Sequence, residues 1–540
     1  MYEDAVPDDS QHTARAQNLP HTAAWQQLPG RLLGSGAAIG CSTLRPMSIV
    51  CAIDAGTTGV RTIAIDQHGR SVASSYREFT QYFPQPGWVE HDASEIWDAV
   101  QQTLADVTAA IDEPPGAIGI TNQRETVVAW SRSTSQPLHR ALVWQDRRTA
   151  ARCEQLEAAG ALPLIRERTG LVLDPYFSGS KIEWLFTEGG LAPTEDVAVG
   201  TIDSWLVWNL TGGRVHATDA TNASRTLLYD IRDLRWSEPL TSLFGVPMHV
   251  LPEVRASSGS FGITADNAEC GPGIPIAGIA GDQHAALFGQ AAFAPGDAKN
   301  TYGTGSFVLM NVGTECPEPV EGLLTTIAWL LDTADGPVAT YALEGAIFAT
   351  GAAVQWLRDG LQIIDRAQDL EPLAAQCENT GGVYLVPAFA GLGSPYWDPY
   401  ARGTIVGLTR GTGRAEIARA TIEAMVFQTR DVVDAMSAAS GASVQSLRVD
   451  GGASAMGLLL QMQADQLGVP VRRPVMQETT ALGAAYLAGL SIGVWPSTDA
   501  IAQNWELDIE FTPHAARDDA AYAGWKRAVE RSRDWAREDA

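Results

Sequence analysis

Apolar and polar positions along this chain fall into blocks whose period changes. Residues 49–53 and 61–65 are apolar, β-branched runs around a short polar turn, Asp54-Ala-Gly-Thr-Thr-Gly59, and they predict strand, tight turn, strand. Across residues 92–112 the apolar positions Ile96, Trp97, Val100, Leu104, Val107 and Ile111 recur at helical spacing, which predicts an amphipathic helix. Strands are predicted at 117–120, 126–130, 224–229 and 275–279, and a helix at 284–290. Residues 293–297 form a turn-rich join. After it the style restarts, with strands at 299–302 and 306–310 around the turn Gly303-Thr304-Gly305. Helices follow at 351–359 and 415–437, and a strand at 447–450 ends in Gly451-Gly452. Two α/β halves, each with a Gly/Thr turn after a strand, predict two related domains closing on a cleft.

Composition narrows the classes. The chain is 45% hydrophobic and 19% charged, an ordinary globular balance, and its 540 residues suffice for two large domains. Its formal net charge is −26, so the basic footprint of a nucleic-acid binder is missing. No run approaches the ~20 apolar residues of a membrane span, and no membrane insertion is expected. An anionic substrate must therefore be met by local donors in a cleft. The six cysteines, at 41, 51, 153, 270, 316 and 377, form no C-x-x-C pair and no zinc spacing. That usage fits a reducing cytoplasm. Residues 1–46, rich in Gln, Ala, His and Pro, read as a disordered leader, or Met47 is the true start. The expected domains are then 47–292 and 293–540.

Candidate chemistry gathers at the turns. The turn after residue 53 can aim several backbone N–H groups at phosphate oxygens. Asp54 stands where the first strand ends, placed to hold magnesium directly or through water. Thr57, Thr58 and Arg61 add donors and a cation. A plain hairpin accounts for the same residues. Arg124 and Glu125, adjacent after a short strand, point to opposite faces if extended or fan out into a loop. They offer a donor fork beside a pure acceptor, which suits a polyol; a solvated ion pair is the plainer account. Trp144 is either core or a cover for the C–H face of a small polyol. Asp282 and Gln283 follow an apolar, glycine-flanked strand, where α/β proteins place their sites; an N-cap accounts for them equally. Gly303-Thr304-Gly305 and Gly451-Gly452 lack the side chains that would keep a ligand away. With the Asp54 turn they make three glycine-rich corners, as a nucleotide held between two domains requires. No Walker-type phosphate loop occurs.

These residues and four longer motifs carry a resemblance. The motifs are Pro84-Gln-Pro-Gly-Trp88-Val-Glu-His-Asp92, Tyr176-Phe-Ser-Gly-Ser-Lys-Ile-Glu-Trp184, Gly391-Leu-Gly-Ser-Pro-Tyr-Trp397 and the stretch from Gly403 to Glu423. From Met47 to about Trp525 the chain resembles glycerol kinases of the FGGY carbohydrate-kinase family. The resemblance implies an α/β fold of two RNase H-like (actin/hexokinase/Hsp70-type ATPase) domains around a nucleotide cleft. It implies ATP- and magnesium-dependent phosphorylation of glycerol to sn-glycerol 3-phosphate, the first step of glycerol catabolism. Carried onto matching positions, glycerol would meet Arg124, Glu125, Tyr176, Asp282 and Gln283, with Trp144 and Phe307 against its carbon edge. The ATP phosphates would meet Thr57, Thr58, Gly59, Arg61 and Thr304. The nucleoside end would meet Gly351, Gln355 and Gly452. Asp54 and Asp282 would hold magnesium, and Asp282 would be the base. Homodimers and homotetramers are common in that family.

Three departures qualify the match. Met456 stands where the family places an asparagine near the adenine. Residues 271–275 lack the arginine of a fructose-1,6-bisphosphate loop, and residues 262–273 lack a phosphorylatable histidine. Neither regulation is expected. A sister enzyme for another polyol or ketose, or a non-catalytic ATP-binding or filament-forming protein, is the alternative.

Overall fold

The computed structural model describes residues 49–537. Both readings of residues 1–46, and Met47 as a start, lie outside the described residues. Strand β1 (Val50–Ala55) is buried except at Asp54 and pairs antiparallel with β2 (Gly59–Ile65). Asp54 faces Arg61 and Ala55 faces Val60, so residues 56–58 close a tight hairpin, as the pattern predicts. β3 (Ser71–Glu78) continues the antiparallel run, and β4 (Ala117–Asn122) and β5 (Ile276–Gly281) lie parallel on the far side of β1. The order is β5-β4-β1-β2-β3. Helix α1 (Ala93–Ala109) covers β2 and β3 with Ile96, Val100, Leu104 and Val107 buried. Asp92 caps it, accepting the Ser94 N–H at 2.9 Å.

The same scheme recurs after the join. β6 (Ala298–Tyr302) pairs antiparallel with β7 (Ser306–Gly313), and β8 (Leu324–Thr333) and β9 (Gly336–Ile347) extend that side. β10 (Leu447–Asp450) and β11 (Val471–Pro474) run parallel beyond β6, and β12 (Leu507–Phe511) closes the edge. The order is β8-β9-β7-β6-β10-β11-β12. In both sheets the first strand is central, with a hairpin partner on one side and a parallel strand on the other.

Helix α2 (Asp282–Gly289) follows β5. Helices α3 (Arg414–Ser440) and α4 (Gly457–Leu467) pack against each other, and Ile422, Met425, Leu459 and Leu460 join the core beside the second sheet. Helix α5 (Thr479–Ile492) instead crosses onto the first sheet, against β1, β4, β5 and α2. Its approach to α2 needs glycine: a Cβ at Gly483 would lie 1.8 Å from the Ala285 carbonyl oxygen, and one at Gly289 would lie 2.0 Å from that of Thr479.

One predicted element is wrong. Residues 224–229 are not a strand; only Tyr229–Asp230 pairs, with Arg235–Trp236. The short helix Ala220–Ala223 ends there in a turn with Leu227 at φ 64°. Ser224 and Thr226 hydroxyls donate back to the Thr221 and Ala223 carbonyls at 2.7 Å each, and these local bonds replace a ladder. No helix among the described residues is long and apolar enough to cross a membrane.

Candidate active site

The central parallel strands end in the residues that matter. β4 leads into Gln123 and Arg124, β5 into Asp282, β6 into Gly303, and β10 into Gly451 and Gly452. Ligands of α/β sheets gather at such carboxyl ends. A cavity of about 220 Å³ lies there, lined by Arg124, Glu125, Trp144, Tyr176, Asp282, Gln283 and Phe307, together with Thr57 and residues of the Gly303–Gly305 turn. All seven residues that the resemblance assigns to glycerol therefore share one cavity.

Arg124 and Glu125 neither alternate nor splay into a loose loop. Glu125 sits at φ 61°, and the Thr126 N–H donates to the Arg124 carbonyl at 2.7 Å. This kink turns both side chains toward the cavity, and a left-handed, buried glutamate is a strained conformation that surrounding structure must enforce. Tyr176 is fixed from behind. The buried Lys181 ammonium donates to the carbonyls of Pro175, Tyr176 and Phe177 at 2.8–2.9 Å. Trp144 meets Tyr176 edge to face, with ring centroids 5.6 Å apart.

Behind the cavity lies a charge lattice that the sequence did not announce. Glu344, from β9, takes Arg124 in a two-pronged pair at 2.5 and 3.0 Å. Arg225 joins the same carboxylate at 3.0 Å and reaches Glu125 at 2.7 Å. Arg124 Nε also lies 3.2 Å from Asp282. Burial alone would raise Glu344, but Arg124 and Arg225 overcome it and hold the carboxyl at about 2. Lys299, also buried, donates to Gln283 Oε1 and, at 2.8 Å, to Thr301. Burial lowers its ammonium to about 8, so it stays charged at neutral pH. Three cations (Arg124, Arg225, Lys299) thus balance three carboxylates (Glu125, Asp282, Glu344). Arg225, Glu344 and Lys299 were missed because each meets its partners only through the fold. The lone signal was Glu344, a charged residue inside the otherwise apolar run of β9.

Asp282 is the first residue of α2, with Gly281 at the cap position, and it accepts the Gln283 N–H at 2.7 Å. Burial raises its pKa, against the pull of Arg124 and Lys299. Its side chain keeps 29% exposure, facing the cavity, which tempers that rise. Asp54 is pushed up to about 7 by burial and by Asp282 and Glu478, with Arg61 opposing. Mutually repelling carboxylates are relieved by a divalent cation, so this pair fits magnesium. Among the described residues no cluster of three or more His, Cys, Asp or Glu could hold a metal ion. Magnesium typically binds one or two carboxylates plus phosphates and water, and so needs no such cage.

A second cavity, of about 510 Å³, is lined by Thr304, Gly351, Gln355, Gly452 and Met456, and it shares Gly303 and Thr304 with the first. Thr304, Gly351, Gln355 and Gly452 are therefore brought together as a group. Thr58, Gly59 and Arg61 line neither cavity: Thr58 is exposed on the hairpin, and Arg61 is ion-paired with Glu478 and lies over the Tyr76 ring.

Two like sheets, two cavities joined at a Gly-Thr-Gly turn and paired aspartates define a two-domain sugar-kinase-type ATPase architecture. Family models agree: the FGGY family of carbohydrate kinases, N-terminal domain, matches residues 49–289, and its C-terminal domain matches 298–492. The chain belongs to the FGGY family of carbohydrate kinases. It is 56% identical over 499 residues to a glycerol kinase of Symbiobacterium thermophilum, covering 91% of this chain and 99% of that one. It is 53% identical to a glycerol kinase of Desulforamulus reducens over the same shares. The solved glycerol kinase of Plasmodium falciparum with ADP superposes with a TM-score of 0.84 at 36% identity, over 90% of this chain and 98% of that one. A ligand-bound xylulose kinase from Lactobacillus acidophilus, at TM-score 0.77 and 21% identity over 90% and 96%, shares the fold.

Proposed function

We propose that this protein transfers the γ-phosphoryl group of ATP to a primary hydroxyl of glycerol, giving sn-glycerol 3-phosphate and ADP. The observation that carries the reading is the small charged cavity around Arg124, Glu125 and Asp282, which shares Gly303 and Thr304 with the larger cavity beside Gly351 and Gly452. Its volume suits a three-carbon polyol and lies below the range usual for larger ligands. Relatives that cover nearly the whole chain are glycerol kinases, which supports the same substrate.

In this reading residues 47–292 supply most of the acceptor and phosphate side, and residues 293–540 the nucleotide side. Arg124 donates to glycerol hydroxyls, Glu125 accepts from one, and Gln283 adds an amide. Trp144 and Phe307 cover the C–H edge. Asp282 orients the attacking hydroxyl and takes its proton as the oxygen–phosphorus bond forms and the bond from phosphorus to the β–γ bridging oxygen breaks. Thr57, Thr58, Gly59, Arg61 and Thr304 meet the phosphates, which requires Arg61 to leave Glu478. Gly351, Gln355 and Gly452 face the nucleoside. Asp54 and Asp282 would hold magnesium, which would supply charge neutralisation on the phosphoryl oxygens. The five described cysteines are free, in keeping with a cytoplasmic enzyme.

The test is ADP release by the full chain with Mg-ATP and glycerol, dihydroxyacetone, erythritol, xylulose or no acceptor. A rate that is large only with glycerol, with sn-glycerol 3-phosphate as product, is expected. Preference for another acceptor overturns the substrate; no acceptor-dependent rate overturns the enzyme.

A further inference from the structure

The motif ending in Glu90-His91-Asp92 contributes no residue to either cavity, and its histidine is fully buried. His91 is nevertheless joined to the Asp54 turn through two glutamines. Its Nε2 lies 2.6 Å from Gln81 Oε1, and the Gln81 amide donates to the Thr57 carbonyl at 2.9 Å. Its Nδ1 lies 3.3 Å from Gln123 Nε2, which also donates to the Gly56 carbonyl at 3.0 Å. Gln123 Oε1 accepts from the Thr126 hydroxyl at 2.9 Å, and that hydroxyl accepts the Trp144 N–H at 3.2 Å. The direction of every bond follows. Both amide nitrogens face backbone carbonyls, so Gln81 presents an acceptor to His91 and Gln123 presents a donor. The imidazole is then neutral, protonated on Nε2 and open on Nδ1.

The carbonyls of the turn are all taken. Gly56 and Thr57 accept from the glutamines, Thr58 accepts the Phe79 N–H at 3.4 Å, and Gly59 accepts the Gly56 N–H at 3.0 Å. The N–H groups of Thr57 and Thr58 bond to no described residue. A turn whose carbonyls are held from behind presents donors to the cleft, as an anion-binding concavity requires. Thr57 is also tied to the acceptor cavity, since its hydroxyl accepts the Trp144 indole N–H at 3.0 Å.

We propose that His91 is a positioning residue for the phosphate-binding turn, splicing Gln81 and Gln123 into one clamp that turns the Gly56 and Thr57 carbonyls away from the nucleotide. The proposal rests on the kinase reading. Burial lowers the His91 pKa to about 4, so the neutral form that the bonds demand persists at working pH. Charged groups facing it are few: Glu95 is the one that acts on it appreciably, and the Phe79 ring packs against it edge-on at 4.9 Å.

The test compares His91→Leu, which cuts both bonds, with His91→Asn, whose amide offers one donor and one acceptor. Calorimetric Kd values for Mg-ADP and for glycerol, and KM and kcat for both substrates, are measured on the full chain. His91→Leu is expected to weaken Mg-ADP and raise KM for ATP about tenfold, the cost of an unsatisfied hydrogen-bonded position. Glycerol Kd should move less than about twofold, and His91→Asn should recover most of the loss. Gln81→Met, at the half-buried rim, removes the bonds to Thr57 and to His91 Nε2 together, leaves the Gln123 bond to Gly56, and should copy the ATP effect if His91→Leu does not fold. Unchanged Mg-ADP affinity in the folded variants, equal loss for both ligands, or an asparagine no better than leucine overturns the proposal. Mg-ADP binding is read without turnover, so wild-type chain that binds Mg-ADP but phosphorylates nothing would refute the kinase reading and leave the clamp standing.

Discussion

The two cavities, which we propose take the acceptor and the nucleotide, share Gly303 and Thr304 but are built by opposite means. The first is walled by buried charge: Arg124 and Arg225 interlock with Glu125, Glu344 and Asp282, and Lys299 is held beside them by Gln283 and Thr301. The second is walled by small residues and backbone at Gly303, Gly351 and Gly452, with Met456 and Gln355 beside them. A small polyol offers only hydroxyls, each both donor and acceptor, so the groups that read it must be held rigidly in fixed polarity. Holding buried charges in place costs desolvation, which only a closed lattice offsets. A nucleotide brings its own charge and a large flat base, so close approach of backbone suffices. Fixed charge is therefore concentrated where the ligand is least distinctive.

Changes on the charged side should produce the larger effects. Asp282→Asn is expected to keep the fold and lower kcat by ~10²–10⁴. A near-normal steady-state rate would remove Asp282 from proton transfer and take the chemistry out of this cavity. Glu344→Ala leaves Arg124 and Arg225 without their shared partner, and unfolding in denaturant should show a loss of about 3–5 kcal/mol. The glycerol KM should rise with it; a rise in ATP KM alone would mean that the lattice serves the other side.

Acidification probes the same lattice. Glu344 is held at about 2 in the fold against an ordinary 4.5. Its ionised pairing therefore contributes stability in full above pH 4.5, and that contribution disappears as pH falls toward 2. Denaturation midpoints of the native chain should drop through this window, and Glu344→Ala should lack that component. Equal slopes would show that other carboxylates dominate.

Effects on the nucleotide side should be smaller and confined to binding. A Cβ at Gly452 meets no protein atom within 4 Å, whereas one at Gly351 would lie 2.7 Å from the Gly303 carbonyl oxygen. Gly452→Ala should leave the melting temperature unchanged and raise ATP KM roughly tenfold by crowding the ligand. An unchanged KM would place the nucleotide elsewhere. Met456→Asn adds an amide at the cavity wall, and a shift of about 2–10-fold in preference among nucleoside triphosphates is the smallest change expected.

Local order was readable in the chain. The hairpin around the Asp54 turn, the amphipathic helix α1 and the glycine turns all follow from short-range pattern, because period and turn chemistry act within a few residues. The same logic failed at residues 224–229. Their apolar, Thr-containing run suits a strand, but hydroxyl-to-carbonyl bonds and a left-handed Leu227 make a turn. That turn is what delivers Arg225 to Glu125.

The sequence by itself marked the turns whose side-chain chemistry suits a polyol and phosphate, whereas Tyr176, Phe307, Gly351 and Gln355 were assigned only through the family resemblance. Tertiary structure decided how they are held. Glu344 reaches Arg124 across 220 residues, and helix α5 crosses to the first sheet because Gly289 and Gly483 let backbones touch. Such contacts carry no periodicity, because their partners become neighbours only when the sheets assemble. A buried charge reads as an anomaly until its counter-charge has been brought to it.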